Sequence, residues 1–156
     1  MPKAATAHFL PKLKRLGPAG WLDLVRASLE LALARFKVGS QTVSELVRTA
    51  HQAEAAEPQS LTDLQLRLVD RVAFVLPRVG PRLPWRADCL VQAIAAQRWL
   101  GRNGISTNLY IGVQKATPAE FEAHAWLMSG DTVVTGGDRK GFTPLVTPTR
   151  PLPGSR

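Results

Sequence analysis

The sequence predicts an α+β protein, with a helical first half followed by one long helix and a small antiparallel sheet. Apolar residues recur at steps of three and four up to about residue 76, which is the period of a helix face. They alternate from residue 106 onward, which is the period of a strand. The segment 76–84 between them holds three prolines and a glycine, a composition that excludes regular structure.

These changes of pattern divide the chain into four segments. Residues 1–20 carry basic side chains and no acidic ones, and we interpret them as a partly ordered arm. Residues 21–80 are the helical region, 81–145 hold the remaining core, and 146–156 are a proline-rich tail. A chain of 156 residues is long enough to bury a core without a metal or disulfide staple.

Three amphipathic helices are predicted in the helical region. The first spans 21–36, the second opens at Thr42 with a capping box to Glu45, and the third opens at Ser60. Their predicted buried stripes are Leu22, Val25, Leu29, Leu33 and Phe36, then Val43, Val47, Ala50 and Ala53, then Leu61, Leu64, Leu68, Val72 and Val75.

The helix after the proline-rich segment has clear start and stop signals. Asp88 is a good N-cap, and Asn103 with Gly104 is a good C-terminal stop. The alanines, leucines and glutamines between them favour helix. Cys89 therefore falls in the first turn of a largely buried helix.

Two alternating stretches then predict strands at 106–113 and 121–128. Gly130 and Asp131 form the tip of a predicted hairpin turn, and 133–135 returns as the paired strand. In the second stretch Ala123, Ala125 and Leu127 share one face, and His124, Trp126 and Met128 share the other.

Composition limits the functional classes. A single cysteine cannot form an internal disulfide and indicates a reducing, cytoplasmic setting. No signal peptide and no run of 18 apolar residues is found, so no membrane span is expected. The net charge of +8 fits either solvated surface charge or attraction to an acidic peptide or partner. Without aromatics interleaved on a basic face or a recognition-helix signature, nucleic acid is not expected as the partner.

Cys89, His124 and a following aspartate are the residue types of a cysteine nucleophile with its base and orienting carboxylate. Only a thiolate attacks, and the unpaired N–H groups of a helix start stabilise it. An imidazole moves the proton, and a carboxylate fixes its tautomer. A buried structural thiol and a core histidine are the plainer alternatives. Trp85 and Trp126 are candidate substrate-binding walls of the cleft, with core packing as their alternative.

Four stretches resemble a known family. They are Asp-Cys-Leu-Val-Gln-Ala-Ile-Ala-Ala-Gln-Arg-Trp-Leu from Asp88, then Gly104-Ile105, Leu-Tyr-Ile-Gly-Val from Leu109, and Phe-Glu-Ala-His-Ala-Trp-Leu from Phe121. Together they resemble the transglutaminase-like core of lasso-peptide leader peptidases, over about residues 85–145.

The resemblance implies a papain-like or transglutaminase-like α+β core, with the nucleophile-bearing helix packed on a small antiparallel sheet. It implies a cysteine peptidase that removes the leader from a ribosomally made precursor peptide, without metal or organic cofactor. A leader-binding protein delivers the precursor and a lasso cyclase closes the ring. The helical region has no winged-helix pattern, so the stand-alone form with a separate leader-binding protein is expected.

Carried onto this sequence, Cys89 matches the nucleophile and His124 the general base. The family's aspartate position falls on or beside Gly136 and Gly137, and the nearest carboxylate is Asp138. Asp138 is therefore the predicted third member of the triad, because Asp131 at the hairpin tip points away from His124.

Two other functions share this pattern. Another transglutaminase-like acyl transfer, such as amide crosslinking or isopeptide hydrolysis, uses the same triad. A non-catalytic peptide-binding module of the same fold would keep the elements without the chemistry.

Overall fold

The computed structural model describes residues 18–40, 60–117 and 120–146. The elements in chain order are helix α1 (Pro18–Ser40), helix α2 (Asp63–Val79), a 3₁₀ turn (Gly80–Arg82), helix α3 (Cys89–Gly101), and strands β1 (Asn108–Thr117), β2 (Glu120–Ser129), β3 (Thr132–Thr135) and β4 (Thr143–Val146). Helices followed by a four-stranded sheet confirm the α+β prediction. The predicted helix opening at Thr42, most of the basic arm and nearly all of the proline-rich tail lie outside the described residues.

The sheet is antiparallel, with strand order β3-β2-β1-β4. β1 and β2 pair along most of their length, with Tyr110 opposite Trp126 and Gly112 opposite His124. Gly130 and Asp131 form the predicted tight turn, in which Gly130 takes a φ of +54°. β4 is a strand that the sequence pattern does not predict, because its four residues include Pro144. A proline is tolerated there because β4 lies at the edge of the sheet.

The helices bury a common core against one side of this sheet. α1, α2 and α3 contact one another, and α3 also contacts β2 and β3. Leu109, Leu127 and Val134 are the strand residues of this core cluster. The face of the sheet that carries Leu109 and Leu127 is therefore the face turned toward the helices.

The buried face of α1 differs from the predicted one. The predicted stripe is exposed, from 39% at Leu33 to 80% at Phe36. A different stripe is buried instead, and its members are Ala27, Glu30, Leu31 and Ala34. Small alanines let α1 approach its neighbours closely, and Glu30 forms ion pairs with Arg98 of α3 and with Arg102, the residue that follows α3. The prediction was wrong because α1 carries apolar residues around most of its circumference, and periodicity does not choose between them.

α2 also departs from its prediction at both ends. Its N-cap is Thr62, which forms a capping box with Gln65, two residues beyond the predicted Ser60. Leu64 is 79% exposed, whereas Val72 and Val75 of the predicted stripe are buried. The helix continues through Pro77 to Val79 and into the 3₁₀ turn, so the prediction of irregular structure from residue 76 was wrong. At residue 77 the proline removes the hydrogen bond to the Ala73 carbonyl and crowds that carbonyl, but the helix still continues for two more residues.

α3 is the element that the sequence described best. The Asp88 side chain accepts a hydrogen bond from the Val91 N–H at 3.2 Å, as expected of an N-cap. The helix ends at Gly101, and most of its side chains from Val91 to Leu100 are buried. Among the described helices, none combines the length and apolar character needed to cross a bilayer.

Candidate active site

Cys89 is the first residue of α3 and is a free, half-buried cysteine. The preceding Asp88 directs its carboxylate onto the Val91 N–H, so its charge is engaged by the helix start. The side chain of Gln92 donates to the Ala87 carbonyl at 2.8 Å, which ties the incoming loop to the same turn. The thiol is thus attached to a fixed helix start with its unpaired N–H groups and partial positive charge.

An open groove of about 520 Å³ precedes this helix start. It is lined by Gly80, Pro81, Leu83, Pro84, Trp85, Arg86, Ala87 and Asp88. Trp85, a predicted substrate-binding residue, is 36% exposed and belongs to this lining. The last lining residue in the chain is Asp88, which directly precedes Cys89.

His124 lies in β2, and its ring is held by three neighbours. Its Nε2 is 2.5 Å from the carbonyl oxygen of Gly136. The ring of Phe142 has its centroid 5.0 Å away, and that of Trp126 lies at 6.2 Å. Both ring neighbours and the carbonyl come from the same face of the sheet or from the segment that crosses it.

That face is covered by the connection between β3 and β4. These strands lie at opposite edges of the sheet, so residues 136–142 pass across β2 and β1. Gly112 makes room for the crossing, since a Cβ there would lie 2.9 Å from the Thr143 carbonyl and 3.0 Å from the Trp126 ring. The crossing segment brings Gly136 and Phe142 to the histidine.

Trp126 is buried at 4% exposure beneath this segment. Its ring stacks on Tyr110, with centroids 5.6 Å apart and planes 2° from parallel. It therefore forms a floor next to His124, and direct contact between Trp126 and a substrate stays a prediction.

Cys89 and His124 belong to different layers of the molecule. By strand alternation His124 lies on the face opposite Leu127, and Leu127 packs in the helical core with α3. In the parts of the chain that the structure describes, no hydrogen bond joins the Cys89 thiol to His124. The contact between thiol and imidazole stays a prediction.

Asp138, the predicted orienting carboxylate, is exposed just after Gly136 and Gly137. Its Oδ1 accepts a hydrogen bond from the Lys140 N–H at 3.0 Å, which closes a local turn. Within the described residues no hydrogen bond or ion pair links it to His124. Sequence reasoning missed Gly136 and Phe142 as neighbours of the histidine, although the family's aspartate position aligns with Gly136 and Gly137.

The region around the groove is basic. Arg86 lines it, and Arg78 lies over the ring of Phe74 at 3.7 Å from the centroid. Arg82 donates to the Arg78 carbonyl. Over residues 18–40, 60–117 and 120–146, no three histidine, cysteine or acidic side chains come together as a metal-binding group.

Comparison with known proteins assigns the family. Searches of curated proteins and of solved structures each gave no significant match. A family model, described as the transglutaminase-like superfamily, matches residues 29–147. This match includes α3, the sheet and both Cys89 and His124, and it spans more than half of the chain. The chain belongs to the transglutaminase-like superfamily.

Proposed function

We propose that the protein is a cysteine peptidase that removes the leader from a ribosomally made lasso-peptide precursor. The observation that supports it most is the half-buried Cys89 at the capped start of α3, beside an open groove, in a chain of this superfamily. The order of motifs that resembles the leader peptidases adds the substrate class. On the same resemblance, a separate leader-binding protein delivers the precursor, and a lasso cyclase uses the product.

In the proposed mechanism, Cys89 Sγ attacks the scissile carbonyl carbon while His124 takes the thiol proton. The Cys89 N–H, at the first position of the helix, donates to the oxyanion that forms. The imidazolium then protonates the leaving amide nitrogen, the C–N bond of the tetrahedral intermediate breaks, and the amine departs while the acyl group stays on Cys89 as a thioester. Water, deprotonated by His124, hydrolyses the thioester to a carboxylate and restores the thiol. No step requires a metal or an organic cofactor.

The groove supplies a surface for the precursor. Its lining residues, from Gly80 to Asp88, directly precede the nucleophile in the chain, and Trp85, which is 36% exposed, offers an aromatic surface for an apolar side chain. Arg86 favours an acidic side chain of the precursor near the same site. The reducing cytoplasm suits this chemistry because the thiol must stay unoxidised.

The test is cleavage followed by mass spectrometry. Purified protein is mixed with precursor and leader-binding protein, and the leader is expected to appear as a separate mass. Cys89→Ala is expected to abolish its release while circular dichroism shows an unchanged fold. Cys89→Ser, which keeps the size and a hydroxyl, is the matched variant and is expected to lose at least about 100-fold in rate, because an unactivated hydroxyl is a far weaker nucleophile.

The alternatives give different products in the same assay. Addition of a primary amine such as glycine ethyl ester would yield the amide adduct if acyl transfer, not hydrolysis, were the native reaction. A non-catalytic module would bind the precursor and release nothing. Leader release that continues in Cys89→Ala would overturn the proposal.

A further inference from the structure

The structure points to the backbone carbonyl of Gly136 as the group that orients His124, in place of the Asp138 carboxylate. This inference rests on the proposed function for its catalytic meaning. We propose that Gly136 O holds the Nε2–H of His124 and so leaves Nδ1 unprotonated for the proton-transfer step. Gly136 is thus a positioning residue that acts through its main chain.

The hydrogen bond fixes the tautomer by elimination. A carbonyl oxygen only accepts, so the proton of this contact belongs to Nε2. In the neutral ring the other nitrogen, Nδ1, then carries the lone pair. A base that accepts the thiol proton needs a lone pair, and Nδ1 is the atom that retains one. This is the role that an orienting carboxylate plays in other triads.

The Asp138 carboxylate forms a different hydrogen bond. Its Oδ1 accepts from the Lys140 N–H, which closes a turn two residues long. Its side chain is exposed, and in the described part of the chain it forms no hydrogen bond or ion pair with the imidazole. The Asp138 carboxylate therefore stabilises a turn in the crossing segment and does not orient the His124 ring.

Gly136 holds its position because only glycine fits there. Its φ is +98°, a conformation that side chains disfavour, and an added Cβ would lie 2.3 Å from the Trp126 Cβ and 2.7 Å from its Cα. The backbone of Gly136 therefore lies close against β2 beside Trp126, and its carbonyl oxygen contacts His124 Nε2. Phe142, 5.0 Å from the ring centroid, limits the rotation that would break the bond.

The first experiment reads the tautomer directly, without any substrate. Nitrogen-15 NMR of the histidine ring in the free protein is expected to show His124 protonated at Nε2 and not at Nδ1 at a pH where the ring is neutral. Asp138→Asn is the critical variant, because the side-chain oxygen of asparagine still closes the turn to Lys140. The same Nε2–H pattern is expected in that variant.

The second experiment measures cleavage. If a carboxylate oriented the ring, its amide replacement would cost on the order of 10⁴ in kcat. With Gly136 O as the orienting group, we expect Asp138→Asn to stay within about threefold of the wild-type kcat/KM, because the asparagine side chain retains the turn.

A pair of glycine variants tests the carbonyl itself. Gly137 has a φ of +53° but open space around an added Cβ, so Gly137→Ala bears backbone strain without a collision. Gly136→Ala introduces both the backbone strain and the collision with Trp126. We expect Gly136→Ala to lose the protected Nε2–H signal and Gly137→Ala to keep it.

The outcomes separate this inference from the proposed function. An Nδ1–H tautomer, or a tautomer that switches in Asp138→Asn, would overturn the role of Gly136 whether or not the protein cleaves a precursor. An Nε2–H tautomer in a protein that cleaves no precursor would support the role of Gly136 and would refute the proposed peptidase function. Since the tautomers of the wild type and of Asp138→Asn decide the inference, failure of Gly136→Ala to fold does not rescue it.

Discussion

A neutral carbonyl and a carboxylate hold an imidazole differently. Either one accepts the Nε2–H and selects the tautomer, but only the carboxylate adds a charge-assisted bond once the ring becomes an imidazolium. With Gly136 O as the orienting group, the ring position depends more on packing, and packing at His124 comes from Trp126 and Phe142. The aromatic neighbours thus contribute to the proposed catalysis by restricting the ring.

Phe142→Ala tests this dependence. Removal of the ring beside His124 frees the imidazole to rotate, and we expect kcat/KM for leader release to fall by at least about tenfold, because small misplacements of reacting groups are costly. Phe121→Ala is the control, since Phe121 lies in the same strand as His124 and is 71% exposed. Equal activity of the two variants, both folded, would show that Phe142 does not position the ring.

At the residue scale, the sequence indicated Cys89 and His124 but not their surroundings. A cysteine after an N-cap and a histidine in an alternating stretch are side-chain signals. The acceptor at Gly136 is a main-chain atom and leaves no side chain to find. Because a main-chain acceptor cannot be recognised in the sequence, the prediction of an orienting carboxylate fell on Asp138, the nearest acidic residue.

At the scale of elements, local signals predicted α3 and the β2–β3 hairpin, because each has its own cap or turn residues. Asp88 and the Gly130-Asp131 pair are such signals. No such local signal identifies the buried face of α1, because that helix carries two apolar stripes. Contacts from α3, distant in sequence, select the stripe that contains Glu30.

Glu30 is the element-scale test of that choice. Its side chain is buried, with Arg98 Nε at 3.5 Å and Arg102 Nη1 at 2.5 Å. Removal of the buried carboxylate leaves Arg98, which is 28% exposed, without its acidic partner, so we expect Glu30→Ala to lower the free energy of unfolding by about 3 kcal/mol. Urea denaturation measures the change.

Asp23 provides the matched control on the same helix. It pairs with Arg71 of α2 at 3.6 Å, but the Asp23 side chain is 19% exposed, whereas the Glu30 side chain is 2% exposed. Asp23→Ala is expected to cost less than about 1 kcal/mol, because solvent weakens such a pair. Equal losses in the two variants would mean that Glu30 does not anchor α1 to α3.

At the scale of the whole molecule, the proposed chemistry depends on cooperation between two layers. α3 brings the thiol from the helical layer, and the sheet brings His124 on the face opposite the one that packs against the helices. The sequence predicted both elements, but the path of the β3–β4 connection across the sheet follows from tertiary pairing. That path determines which residues surround His124, and no local sequence pattern in residues 136–146 predicts it.

The most direct test of the account is whether the Cys89 thiol responds to His124. Alkylation of the single cysteine by iodoacetamide at mildly acidic pH, followed by intact mass, gives the rate in wild type and in His124→Ala. If the imidazole activates the thiol, we expect His124→Ala to react at least about tenfold more slowly, because the thiolate is the reacting species. Equal rates in the two folded proteins would contradict the pairing of Cys89 with His124.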